Sequence, residues 1–196
     1  DAEGGHDWWH IYRVWKMRRH IAKSEKGDGF VIELGALLHD IADSKFHNGD
    51  ETIGPKTART FLETQNVSLE TIDHVIAIIE NISFKGGRVE RKFSSIELDI
   101  VQDADRLDAI GAIGIARTFN YGGFKNRALY NPEIVPNLSM TKEEYKNNEA
   151  PTINHFYEKL LLLKDRMETN TAKQIAAQRH AYMETFLAQF MQEWNP

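Results

Sequence analysis

The sequence predicts an all-α fold. Apolar residues recur at spacings of three and four along most of the chain, and no strand-rich segment, internal repeat or heptad run is evident. At 196 residues the chain is long enough to bury a substantial core, and nothing in it demands a second domain. We therefore expect one all-α domain over 1–196, with a motif-bearing core at about 6–120, a polar excursion at about 121–152 and C-terminal helices at 153–194 packed on the core.

The early helices are predicted at 7–26, 30–44, 55–65 and 69–82. The first has an apolar stripe around Val14, and Gly27-Asp28-Gly29 ends it. The second opens with Phe30-Val31-Ile32, and its apolar density marks it as central in the core. Pro55 stands at the start of the third helix, where a missing N–H group costs little. His74, between apolar positions of the fourth, is expected to be a hydrogen-bonded core or boundary histidine.

The later helices are predicted at 95–110, 109–120, 153–167 and 171–194. Between them, residues 121–152 are polar and irregular, with Pro132, Pro136 and Pro151 as helix breakers. We therefore expect a long surface excursion or lid in this stretch.

Composition and charge exclude several classes of protein. A hydrophobic content of 41% with 27% charged residues is typical of a soluble globule, and the apolar runs are far too short for a membrane span. The net charge of −5 argues against binding to extended nucleic acid, although a small phosphorylated ligand needs only a local basic pocket. The absence of cysteine excludes disulfides and thiolate sites and fits a reducing compartment, so a cytoplasmic location without a signal peptide is expected.

His39 and Asp40 interrupt the apolar run of the second predicted helix. A nitrogen ligand and an oxygen ligand side by side suit a divalent metal better than they suit a protein core. Neighbouring helical positions point about 100° apart, so both side chains reach one ion only if it lies above the ridge between them. The remaining ligands must then come from elsewhere in the chain.

The fifth predicted helix carries more carboxylates than a core helix needs. Asp105 and Asp108 are three apart and share a face, while Asp99 and Asp103 are interleaved with the apolar stripe of the same helix. An acidic solvated face would place its carboxylates opposite that stripe. One of these aspartates is therefore expected to point toward the histidine–aspartate pair.

Other charged residues have both a functional and an ordinary interpretation. His10 and Arg13 share a face of the first helix at the spacing of a metal ligand and a phosphate contact, but a surface histidine on a basic helix would look the same. A Gly-rich loop carries Lys85 and Arg88 yet lacks the Lys-Ser/Thr ending of a P-loop. In the C-terminal helices, His155 and Lys159 are either substrate contacts or part of a solvated face.

Three motifs taken in order resemble the signature of the HD-domain superfamily of metal-dependent phosphohydrolases. They are His10-x-x-Arg13-Val14, His39-Asp40 and Ala104-Asp105-Arg106-Leu107. A lone His-Asp pair would be a weak signal, whereas three motifs in the family's order and spacing are specific. The stretch from Asn154 to Trp194 is also similar to the C-terminal helices of small bacterial HD hydrolases.

The resemblance implies one divalent ion held by His10, His39, Asp40 and Asp105, with Asp103 as the alternative last ligand. Two imidazoles and two carboxylates suit manganese, magnesium, iron, cobalt or nickel better than a closed zinc site. Binuclear HD subtypes carry further histidines between the doublet and the last aspartate, and the corresponding segment here lacks a paired histidine. This departure favours a single metal ion and argues against cyclic-dinucleotide phosphodiesterase activity.

The resemblance also implies roles around the metal. Asp43 would handle the proton of the attacking water, while Arg13 and Lys45 would neutralise charge on the phosphate oxygens. Further candidates for substrate contact are Lys85, Arg88, Asp108, His155 and Lys159.

The expected function is metal-dependent hydrolysis of a nucleotide or a similar small phosphate compound. The bond cleaved would be a phosphate monoester or a phosphoanhydride, as in a nucleoside triphosphate pyrophosphohydrolase. The alternative from another class is a non-catalytic HD sensor that binds metal and nucleotide, and Asp43 favours the enzyme because a sensor needs no proton-handling carboxylate. A helical scaffold with incidental motifs would hold no stoichiometric metal. Neither a membrane nor extended nucleic acid is an expected partner, and the sequence leaves a homodimer open.

Overall fold

The computed structural model describes residues 7–42, 47, 49–83, 92–141, 143–144 and 148–195. Within these residues the regular structure is helical and contains no β-strand, which confirms the all-α prediction. Contacts group the chain into two compact units: an N-terminal unit of Trp8–Phe84 with Val89–Ala104, and a C-terminal unit built around Asp105–Pro196. The single domain over 1–196 stays a prediction. Across the described residues, no helix has the length and apolar character of a membrane span.

Five helices build the N-terminal unit: α1 (Trp8–Ile21), α2 (Gly29–Leu38), α3 (Ile53–Thr64), α4 (Leu69–Asn81) and α5 (Ile96–Asp108), the last up to Ala104. Helix α2 packs against α1 and α4, and α3 packs against α4. Val14 of α1, Val75 of α4 and Ile100 of α5 are completely buried. Helix α2 therefore lies centrally in this unit, as its apolar density predicts.

The start of α2 is fixed by Asp28. Its side-chain oxygen accepts hydrogen bonds from the backbone N–H groups of Phe30, at 2.8 Å, and Val31, at 3.2 Å. These two donors have no partner inside the helix, so Asp28 is an N-cap. Sequence reasoning treated this aspartate only as the end of the first helix, although an aspartate just before an apolar run is also a start signal. Helix α1 ends at Ile21, earlier than the predicted residue 26.

Glu97 links the start of α5 to the start of α2. Its carboxylate accepts a hydrogen bond of 2.9 Å from the backbone N–H of Asp28 and lies 3.4 Å from His74 Nε2. His74 Nε2 is also 3.0 Å from Ser95 Oγ, which confirms it as a hydrogen-bonded boundary histidine. Burial alone would raise the pKa of Glu97, but hydrogen bonds from Asp28, from its own N–H and from Ser95, together with His74, lower it.

Replacing Glu97 with glutamine is expected to lower the free energy of unfolding at pH 7 by about 1 kcal/mol, because a charged acceptor becomes a neutral one. The folded-state pKa of Glu97 lies below its unfolded value of about 4.3, so its contribution is present above that pH and is lost as the pH falls through the folded-state pKa. Urea unfolding between pH 7 and pH 3 measures the difference. The variant should approach wild type at the acidic end. The exposed Glu63→Gln serves as control, and equal stability of Glu97→Gln and wild type at pH 7 would contradict the assignment.

The C-terminal unit contains α6 (Gly111–Phe124), α7 (Asn154–Glu158), single-turn 3₁₀ helices at Leu160–Leu162 and Lys164–Arg166, and α8 (Asn170–Trp194). Helix α8 packs on α6. The rings of Phe119, Phe156 and Phe186 form an aromatic cluster with centroids 5.9–6.0 Å apart.

The predicted helix at 153–167 is wrong in extent, because α7 ends at Glu158. Lys159 leaves helical geometry, with φ −141° and ψ −59°, and the chain continues in tighter turns.

The break between α5 and α6 depends on Gly111. This residue has φ +78°, in the left-handed region that favours glycine. A Cβ atom at this position would lie 2.9 Å from Arg179 Cγ, so space and backbone conformation both require glycine. The Arg179 guanidinium donates to the carbonyl of Leu107, one of the last carbonyls of α5. Sequence reasoning predicted helices over 95–110 and 109–120 without placing a break between them.

The described part of the polar excursion forms hydrogen bonds with α7 and with the residues before this helix. The N–H groups of Thr152 and Ile153 donate to the carbonyls of Ala128, at 2.9 Å, and Leu129, at 3.0 Å. Further along, the N–H of Asn137 donates to a carboxylate oxygen of Glu158 at 3.1 Å. These hydrogen bonds hold the segment after α6 against α7.

Candidate metal centre

Two histidines meet in the N-terminal unit. His10 in α1 and His39 directly after α2 are both buried, and their Nε2 atoms are 3.2 Å apart. Asp40 Oδ2 lies 3.4 Å from His10 Nε2 and 3.8 Å from His39 Nε2. Two imidazole nitrogens and one carboxylate oxygen therefore converge, as the order of the motifs predicts.

Packing between α1 and α2 fixes the short distance between His10 and His39. Glu33 of α2 accepts a hydrogen bond of 2.8 Å from Trp15 Nε1 and forms an ion pair of 2.6 Å with Arg18, both on α1. On the same helix pair, Val14 is completely buried one turn beyond His10. Gly35 lets α5 approach closely, because a Cβ there would lie 3.3 Å from Val101 Cγ2. The histidines are thus held by helices whose relative position is set by buried contacts.

The His39-Asp40 doublet lies in a turn after α2, so its predicted place inside a helix at 30–44 is wrong. Helix α2 ends at Leu38 with His39 as its C-cap, and the N–H of Ile41 donates to the Leu38 carbonyl, three residues back, at 3.1 Å. The apolar surface that α2 buries ends at Leu38, since Asp40 is half-exposed and Ile41 is exposed. The tight turn, instead of a helical ridge, brings Asp40 to both imidazoles.

The orientation of the His39 ring favours a metal ligand. His39 Nδ1 is 2.9 Å from the carbonyl oxygen of Ala36, which can only accept a hydrogen bond. In the neutral ring, Nδ1 therefore carries the proton and Nε2 presents its lone pair toward His10 and Asp40. An imidazole oriented through its other nitrogen by a backbone carbonyl is a common arrangement for a metal ligand. A lone pair beside a second imidazole and a carboxylate oxygen makes a donor set that could hold a divalent cation.

Asp105 is half-buried in α5, whereas the alternative ligand Asp103 is completely buried. The choice between Asp105 and Asp103 and the complete four-residue ligand set stay predictions.

The other predicted site residues have different placements. Asp43, Lys45, Lys85 and Arg88 lie outside the described residues. Arg13 is half-buried on α1, one turn after His10. The catalytic roles of Asp43, Arg13 and Lys45 and the substrate contacts of Lys85 and Arg88 stay predictions.

The remaining candidates belong to the C-terminal unit. Asp108 is buried and paired with Arg117 at 2.9 Å, so it has a structural partner within its own unit. His155 is half-buried in α7, and Lys159 is the residue after that helix, with its N–H donating to the His155 carbonyl at 3.1 Å. The substrate contacts of these three residues stay predictions.

Sequence reasoning missed the residues that support the site. Glu33 lies about two turns before the doublet and received no role from the sequence, because its role depends on the partners Trp15 and Arg18 in another helix. Ala36 acts through its backbone carbonyl, which any residue type would supply. An acidic residue within an apolar helix opposite a basic helix was the one available signal for Glu33.

Comparisons with known proteins agree on one family. The family model of the HD domain matches residues 8–110, which include His10, His39, Asp40 and Asp105. YpgQ of Bacillus subtilis (strain 168) is 39% identical over 192 residues, covering 96% of this chain and 84% of YpgQ.

Solved structures give the same result. An HD-superfamily hydrolase from Bacillus thuringiensis is 50% identical, with a TM-score of 0.76, and the match covers 100% of this chain and 89% of that one. Bacillus subtilis YpgQ in complex with ADP is 36% identical, with a TM-score of 0.76, over 98% of this chain and 91% of that one. Because the family match spans more than half of the chain and includes the histidine–aspartate cluster, this protein belongs to the HD-domain family.

Proposed function

We propose that this protein is a metal-dependent phosphohydrolase that acts on a nucleotide or a similar small phosphate compound. The observation that carries the proposal is the convergence of His10, His39 and Asp40 in a member of the HD family. Similarity to the HD-superfamily hydrolase of Bacillus thuringiensis supports hydrolysis. The complex of the related YpgQ with ADP supports a nucleotide-type ligand.

We propose His10, His39, Asp40 and Asp105 as ligands of one divalent ion, with manganese, magnesium, iron, cobalt and nickel as candidates. When bound, such an ion polarises a phosphoryl oxygen and lowers the pKa of a water molecule. The chain contributes two neutral nitrogen donors and two carboxylates, and the Ala36 carbonyl keeps His39 in the required tautomer.

The residues beside the ligands would complete the reaction. Asp43 takes the proton of the attacking water. In the same step the water oxygen forms a bond to phosphorus, and the bond from phosphorus to the leaving oxygen breaks. Arg13 and Lys45 stabilise the negative charge on the phosphate oxygens. These cations are needed because the substrate phosphates enter a site that already holds carboxylates.

Metal analysis followed by a phosphate-release screen tests the proposal. Purified protein should contain about one divalent ion per chain, and nucleoside mono-, di- and triphosphates should be compared with each candidate metal, measuring orthophosphate and pyrophosphate separately. Release of either product above the metal-free control supports hydrolysis, and the product identifies the bond cleaved. Protein without stoichiometric metal, or with metal but no turnover of any nucleotide, would contradict it.

The second candidate is a sensor that binds metal and nucleotide without catalysis. A related protein bound to ADP is an observation of binding, which a sensor would also show. Saturable nucleotide binding without phosphate or pyrophosphate release would favour the sensor.

Replacing Arg13 with glutamine is expected to raise the Michaelis constant for the best nucleotide, or to lower its turnover, by roughly tenfold, because a charged hydrogen bond to phosphate is lost. Metal content should stay near one ion per chain. Arg19→Gln is the matched control, since Arg19 is exposed on the same helix and its guanidinium lies 5.1 Å from the centroid of the Trp15 ring. Kinetics of Arg13→Gln equal to those of wild type would remove Arg13 from the phosphate site.

A further inference from the structure

Helix α1 presents a row of aromatic rings on the side away from its buried residues. Trp8 and Trp9 are each 61% exposed, although tryptophan is on average a highly buried residue. The centroid of the Tyr12 ring lies 5.9 Å from that of Trp9 and 5.9 Å from that of Trp15, so the rings continue along the helix. Neighbouring exposed aromatic side chains of this size are typical of an interaction site.

Two cations lie beside these rings. The Lys16 ammonium is 5.4 Å from the centroid of the Tyr12 ring, and the Arg19 guanidinium is 5.1 Å from that of the Trp15 ring. Both charged side chains are exposed. Aromatic residues and arginine are enriched at the centres of protein–protein interfaces. We define the α1 face as Trp8, Trp9, Tyr12, Trp15, Lys16 and Arg19. This surface suits an acidic protein partner that exposes apolar side chains.

The segment 133–144 of the same chain has that character. It contains three glutamates and one lysine, and all three glutamates are exposed. Three aliphatic side chains of the segment are between 45% and 78% exposed: Ile134, Val135 and Leu138. The hydrogen bond from the Asn137 N–H to Glu158 holds the segment in place, so little ordering is needed when a partner binds.

We propose that the α1 face of one copy docks on the segment 133–144 of a second copy. The aromatic rings then cover the aliphatic side chains, while Lys16 and Arg19 meet the glutamates. Two α1 faces placed against each other would oppose cations with cations, so the contact joins unlike surfaces. A nucleic acid backbone would match the cations but offers no aliphatic side chains to the rings. The proposal does not depend on the hydrolytic function, since it uses none of the proposed metal ligands or catalytic residues.

Sedimentation equilibrium of the whole chain between about 1 and 200 µM tests for self-association with a micromolar dissociation constant. The mass of wild type should rise with concentration above that of one chain. Reversing the cations with Lys16→Glu and Arg19→Glu should raise the dissociation constant at least tenfold, and so should Glu133→Lys with Glu143→Lys. A wild-type chain that stays monomeric would overturn the proposal. Its co-sedimentation with phosphatidylglycerol vesicles would then assign the α1 face to an anionic membrane.

Mixing the two charge-reversed variants locates the contact. A reversed α1 face then meets a reversed segment, and a wild-type segment meets a wild-type α1 face, so the mixture should associate like wild type although each variant alone does not. The control is Lys56→Glu with Lys173→Glu, which makes the same change of net charge at exposed lysines of α3 and α8 and should associate like wild type. A mixture that stays monomeric, or equal weakening by the control, would overturn the assignment.

Circular dichroism shows whether the charge-reversed α1 variant keeps its helices. If it does not, Lys16→Gln with Arg19→Gln takes its place, because glutamine is a good helix former and adds no repulsion. This neutral variant should raise the dissociation constant about threefold, as expected for the loss of exposed ion pairs. A dissociation constant equal to that of wild type would remove the two cations from the contact and overturn the proposal.

Discussion

Replacing His39 with alanine is expected to remove the divalent ion and phosphohydrolase activity together. Among the proposed ligands His39 has the most complete support in the structure, because its Nδ1 is held by the Ala36 carbonyl and its Nε2 faces His10 and Asp40. Loss of an outer-shell partner of a metal ligand typically lowers affinity or activity by roughly 10- to 100-fold, so loss of the ligand itself should reach at least the upper value. Metal content per chain and nucleotide turnover are the two measurements.

The matched control is His20→Ala. His20 is exposed on α1, the helix that also carries His10, and its removal should leave metal and turnover unchanged. Circular dichroism of both variants establishes that the helices remain. A folded His39→Ala protein that keeps one ion per chain would refute His39 as a ligand of the proposed centre, whatever its turnover.

The helices were predictable from the sequence because apolar periodicity reports which face each helix buries. The ends of the helices were less predictable, since a helix end depends on the tertiary contacts that the chain makes at that point. Helix α2 stops at Leu38 where its buried surface ends, and α7 stops after Glu158 where the chain turns toward α8. Gly111 marks a break only because its backbone is left-handed and Arg179 lies against it.

The candidate metal centre was also predictable only in part. The resemblance to the HD family implied that His10 and the His39-Asp40 doublet belong to one site, and these side chains meet in the structure. The sequence could not predict how Asp40 reaches both imidazoles, since that depends on a turn replacing a helical ridge. Nor could it predict the Ala36 contact, because a backbone carbonyl is the same for every residue type.

Replacing Asp43 with asparagine is expected to separate catalysis from metal binding. In the proposed mechanism Asp43 takes the proton of the attacking water, so its loss should lower turnover by roughly a hundredfold or more, the usual scale for general acid–base help. Asparagine has nearly the same shape but cannot accept that proton, and Asp43 is not a proposed ligand. Metal content and the unfolding midpoint should therefore match wild type.

The control for this variant is Asp73→Asn. Asp73 is an exposed carboxylate on α4, paired at 2.6 Å with Arg59 on the surface, so its replacement should leave turnover unchanged. A fall in turnover for Asp43→Asn with full metal occupancy would support the enzyme over the sensor, because a sensor has no proton transfer to lose. Wild-type turnover in Asp43→Asn would assign the proton to another group, and loss of metal from this variant would instead make Asp43 part of the ligand set.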